Sequence, residues 1–131
     1  MKASALRWAA FIAVGTAAAA VHLATVKGLV DAAGWPPLAG NVAGWLFAFG
    51  VSFTGHQRLT FSDHGAPRGR SLRRFFVVSA LGFAANEFAY AALLAYTRLR
   101  YDVALLLVLL GVAVLTYLSS RHWAFRGSRA R

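Results

Sequence analysis

The sequence predicts an all-α integral membrane protein, with four transmembrane helices arranged as two parallel-repeat hairpins and both termini cytoplasmic. Three observations carry that expectation. Apolar residues make up 59% of the 131-residue chain and charged residues only 14%, more apolar surface than so short a chain could bury inside itself. The apolar residues fall into four long runs separated by short stretches rich in Arg, Gly and Pro. A basic-aromatic box, Gly55-His56-Gln57-Arg58-Leu59-Thr60-Phe61, closes the second run, and a related one, Ser119-Ser120-Arg121-His122-Trp123-Ala124-Phe125, closes the fourth.

The first run covers about residues 8–30 and follows Lys2 and Arg7. Its start resembles a secretory leader, but the run is too long for one and further spans follow, so it reads as a membrane helix. At ~1.5 Å per residue it crosses a ~30 Å hydrocarbon core with room for tilt. Gly34-Trp35-Pro36-Pro37 then breaks the chain at an interface, with a tryptophan at headgroup level. The second helix is expected over about residues 38–57 and contains Gly40-Asn41-Val42-Ala43-Gly44, small residues four apart that let another helix approach closely. A polar connection of Gly, Pro, Asp, His and Arg separates the halves. The third helix is expected over about residues 72–96 and the fourth over about 103–120, with a short polar turn at 97–102 between them. The whole forms a single four-helix membrane domain.

The charge distribution orients the chain. Eleven of the fourteen Lys and Arg residues lie at the N-terminus, in the central connection or at the C-terminal end, which two successive hairpins place on one side. Lys27, Arg98 and Arg100 lie on the other. That excess in short loops assigns the arginine-rich side to the cytoplasm. The net charge of +10 raises nucleic acid as a partner, but no soluble domain is present to hold a duplex, and anionic membrane lipids or a phosphate-bearing lipid fit the arginines better. The chain has no cysteine, which excludes disulfides, thiolate catalysis and Cys-type zinc sites. His56, His64 and His122 match no metal spacing, and no glycine-rich phosphate loop, nucleophile elbow or catalytic carboxylate pair is visible, so neither an enzyme nor a cofactor is expected.

The two halves share a pattern. Arg7 precedes aromatic residues and Gly15, as Arg74 precedes Phe75, Phe76 and Gly82, and the stretch from Phe53 to Phe61 is matched by that from Tyr117 to Phe125. Transporters often seat their substrate where such repeats meet.

Arg7 with its following aromatics, Asn41, His56-Gln57-Arg58-Leu59-Thr60-Phe61, Arg74-Phe75-Phe76 and Arg121-His122-Trp123-Ala124-Phe125 together resemble the GtrA-like family, over almost the whole chain. Gln57 and Ser52 depart from the family pattern, which often has a second basic residue and an asparagine there. The resemblance implies a small four-helix protein of the bacterial cytoplasmic membrane. It also implies movement of a polyprenyl-phosphate-linked monosaccharide to the outer leaflet for cell-surface polysaccharide synthesis, often beside a membrane glycosyltransferase.

Two sets of residues are candidates for that work. Arg7, Arg58, Arg74 and Arg121 lie one near the arginine-rich end of each helix, where a guanidinium can hold a lipid phosphate through paired hydrogen bonds. Snorkelling arginines that only set topology are the plainer reading. Deeper in the bilayer, Glu87 lies about 20 Å along the third helix from Arg74, and His22 about 22 Å along the first from Arg7. Polar groups at such depth usually face a bundle interior or a water-filled path. Glu87, Asn86, His22, Asn41 and Tyr90 form the candidate sugar path, against the plainer reading of hydrogen bonds that join helices. Lys27 is expected to snorkel outward and meet Asp31. Trp45, Phe47, Phe49 and Phe53 read as packing and lipid contact. Four short helices enclose little volume, so a homo-oligomer is expected.

Two rival functions remain open at this level. One is a non-transporting anchor for a glycosyltransferase. The other is a small multidrug-type proton-coupled exporter, weakened because the first helix carries no carboxylate.

Overall fold

The computed structural model describes the backbone of residues 2–60 and 68–126, and the side chains of those residues except at 60, 68, 71 and 116–126. Every segment described is helical or a short turn. The order is α1 (Lys2–Ala33), α2 (Pro37–Gly55), a π-helical segment (His56–Thr60), α3 (Arg68–Tyr96) and α4 (Tyr101–Arg126). Among the described residues, Lys2–Ala33, Pro37–Leu59 and Leu72–Tyr96 are long and apolar enough to cross a membrane, and Tyr101–Leu115 is a shorter apolar stretch. Leu46, Phe47, Val78, Leu81, Phe88 and Leu115 stand exposed, as expected of faces turned to lipid.

The helices are longer than the periodicity predicts. The first begins at Lys2 and the fourth continues to Arg126, through the whole second box. The second does not stop at Gln57 but widens into the π-helical turn. The first box is therefore π-helical over His56–Thr60, with Phe61 outside the described residues, whereas the second is α-helical. No residue pattern announces a π-turn, which is rare and often found at functional sites.

The turn between α1 and α2 has local causes. Gly34 adopts φ 68°, a left-handed conformation that costs glycine little, and the Trp35 amide returns to the Leu29 carbonyl at 3.0 Å. Pro37 then opens α2, where its missing N–H leaves no helical bond unmade and its fixed φ suits the first turn.

Packing between the helices comes in three layers. Near the Trp35 end, Val26 of α1, Tyr90 of α3, and Ala104, Leu105 and Val108 of α4 form the buried apolar core. In the middle lies a polar layer shared by α1, α2 and α3. Toward the arginine end, aromatic rings of α2 and α3 interleave. Along the α1–α2 seam the buried positions are Val14, Ala18, His22 and Val26 on α1, one every four residues, facing Gly40, Asn41, Gly44 and Ala48 on α2. The small-residue motif thus packs against the adjacent helix. A Cβ at Gly44 would lie 2.9 Å from the His22 carbonyl oxygen and 2.7 Å from its ring, and one at Gly55 would lie 2.8 Å from Val14.

A candidate polar site inside the helix bundle

Asn41 is the centre of the middle layer. It is fully buried on the face of α2 that also carries Gly44, and its short side chain reaches two other helices. Its Oδ1 accepts a 2.6 Å hydrogen bond from His22 Nε2 on α1, which assigns the proton to Nε2. Its Nδ2 donates to Asn86 Oδ1 at 3.0 Å and to Glu87 Oε2 at 2.6 Å, both on α3. One amide therefore joins three helices with three hydrogen bonds. Among the described residues no buried side-chain nitrogen or oxygen lacks a partner, as expected where an unmade bond is costly.

Four of the five residues expected in a polar path meet here: His22, Asn41, Asn86 and Glu87. Tyr90 does not join their hydrogen bonds. One turn beyond Glu87 its ring is buried in the apolar core and its hydroxyl donates to the Tyr101 carbonyl at 3.1 Å. Glu87 and His22 do not bond directly, because Asn41 stands between them. Counting residues along each helix gives their similar depths, but not the helix rotations that make Asn41 the bridge.

Beside this layer, a cleft of about 200 Å³ opens between α1, α2 and α3. His22 contributes to it from the polar layer, Ser52 and Ser79 add hydroxyls, and Trp45 and Phe49 form an aromatic wall. Trp45 is held on two sides: its indole N–H donates to Ser79 Oγ at 2.9 Å, and its ring stacks on Phe83 at 4.8 Å between centroids. Further along, Phe49 meets Phe75 and Phe76 at 5.4 and 5.5 Å. The buried His56 ring lies 5.0 Å from Phe11 of α1 and 6.2 Å from Phe75 of α3. His56, which sequence spacing leaves without a role, is the side chain where α1, the π-turn and α3 converge.

The arginines divide. Arg7, Arg58 and Arg74 are exposed at one end of the bundle, brought there by the start of α1, the π-turn and the first turns of α3. The side chain of Arg121 lies outside the described residues. At the opposite end, Lys27 bridges Asp31 at 2.9 Å and Asp102 at 3.5 Å, and Arg100 reaches Asp102 at 3.1 Å. The Tyr101 hydroxyl donates to Asp31, so α1 and α4 are joined there by charge. Among the described residues, no cluster of three or more His, Asp or Glu could hold a metal ion.

A family model described as GtrA/DPMS, transmembrane domain, matches residues 10–125. No curated protein and no solved structure matches the chain.

Proposed function

The chain belongs to the GtrA/DPMS transmembrane family, and from that premise we propose that it moves a polyprenyl-phosphate-linked monosaccharide from the cytoplasmic to the outer leaflet of a bacterial inner membrane. The family is associated with sugar-lipid translocation. The observation that supports this reading best is the polar layer centred on Asn41. Polar and ionisable side chains are costly within lipid, and here a carboxylate, two amides and an imidazole gather at one depth. Together they offer a sugar the donors and acceptors it leaves behind in water.

The arginine-rich side is cytoplasmic in this reading, by the charge excess in short loops. Arg58 holds the lipid phosphate at headgroup depth, with Arg7 and Arg74 at the same end and Arg121 as its counterpart in the second half. The polyprenyl chain stays in lipid while the sugar crosses along the polar layer. A homo-oligomer supplies the enclosure that four helices lack.

Transport of a fluorescent or radiolabelled sugar lipid by purified protein in vesicles tests this. The Arg58→Ala, Arg121→Ala double variant is expected to abolish transport while circular dichroism stays unchanged. Wild-type rates in that variant overturn the phosphate assignment. Copurification with a glycosyltransferase, without transport by the wild-type protein, favours the anchor reading instead.

A further inference from the structure

We propose that the cleft between α1, α2 and α3 is a sugar-ring subsite, and that Trp45, fixed in place by Ser79 and Phe83, is the residue that recognises the ring. The inference rests on the sugar-lipid reading above and assigns the sugar a seat.

The lining decides the class of occupant. Among the described residues, no Asp, Glu, Lys or Arg lines the cleft, a lining that favours a neutral occupant over a phosphate. It is not plain lipid surface either, because His22, Ser52 and Ser79 bring hydrogen-bonding groups into it where an acyl chain could use none. Neutral donors and acceptors beside an indole match a pyranose, whose hydroxyl edge needs partners and whose C–H face stacks on an aromatic ring. The size agrees. A space of about 200 Å³ is enough to hold several waters and so to seat one sugar ring. Ala18, Ala19 and Ala48 create the space by staying small.

The Trp45 ring is pre-positioned. Phe83 stacks on it with an interplanar angle of 14°, and Ser79 holds the N–H, so binding need not order a free side chain. His22 connects the cleft to the polar layer, since it lines the cleft and bonds Asn41. A ring seated against Trp45 is therefore one residue away from the Asn41 amide.

The test separates binding from transport. Detergent-purified protein is titrated with polyprenyl phosphate bearing no sugar, one hexose or two, and the same lipids are then offered to proteoliposomes. The one-hexose lipid is expected to bind more tightly than the bare phosphate lipid, and the second hexose to add little further affinity. Trp45→Phe, which keeps a ring but removes the N–H, is expected to weaken one-hexose binding about five- to tenfold, the scale of a specific aromatic contact, without changing bare-lipid binding. Ala19→Leu, at an exposed position on the cleft rim, is expected to do the same by filling the space while sparing the core. The subsite is overturned if the sugar adds no affinity in the wild-type protein, or if both folded variants discriminate as the wild type does. If the sugar preference depends on Trp45 but no transport occurs, the subsite stands and the translocation reading falls.

Discussion

The two hairpins repeat each other in sequence but differ in how closely their helices approach. In the first, Gly44 and Gly55 let α1 and α2 come so near that an added Cβ would fall within 3 Å of backbone or side-chain atoms. In the second, Gly82 and Gly111 have nothing within 4 Å of where a Cβ would be. Gly15 and Gly82, which correspond in the repeat, are both open. Gly44 lies outside the shared pattern, on the face of α2 that meets α1, and Gly55 lies inside it but is matched by Ser119 in the second half. A duplicated pattern therefore preserves helix ends and boxes without preserving the seam, because a seam depends on which residues of both partners face each other.

The comparison breaks most sharply at those glycines. Gly44→Ala is expected to destabilise the protein by about 2–3 kcal/mol, since the methyl meets the His22 backbone and overpacks the seam. Gly82→Ala and Gly111→Ala are expected to be neutral, or stabilising by up to ~1 kcal/mol, through helix propensity alone. Thermal unfolding in one detergent measures all three, and equal losses would show that both hairpins depend on close approach. Next in size is Asn41→Leu, which removes three hydrogen bonds and leaves His22, Asn86 and Glu87 to find other partners. Hydrogen bonds between membrane helices are worth roughly 0.6 kcal/mol on average and seldom reach 2, so a loss of about 2 kcal/mol is expected. Smallest is Lys27→Ala at the opposite end. The Lys27–Asp31 pair is half exposed, and solvent screening leaves exposed pairs little effect on stability. The loss is expected to shrink further at high salt, in contrast to the Asn41 variant.

Much of this architecture was legible in the residues. Four apolar runs gave four helices, and Gly40 and Gly44 marked a close-packing face. Lys27 and Asp31, one turn apart near a helix end, foretold their ion pair. His22, Asn86 and Glu87 stood out because polar residues deep in apolar runs are rare. What the residues could not convey is relative rotation. That Asn41 rather than Tyr90 completes the polar layer depends on how α2 and α3 turn about their axes, and nearly uniform apolar composition around each helix leaves that turn unmarked. Trp45 poses the same difficulty. Its ring reads as packing, which its contacts with Phe83 and Phe76 bear out, but only the tertiary arrangement puts Ser79 beside its N–H and a cleft along its flank. The π-turn at the first box leaves no compositional trace.

The absent side chain at Gly44 acts as a gauge for the polar layer. Asn41 has a single methylene between backbone and amide, so it reaches His22 only while α1 and α2 stay as close as Gly44 allows. One methylene more, as in glutamine, would overshoot the imidazole at this spacing, and a wider seam would leave asparagine short. Positions 41 and 44 are thus bound to one length scale. In the evolution of such a chain they are expected to change together: a longer amide beside a bulkier spacer, or asparagine beside glycine.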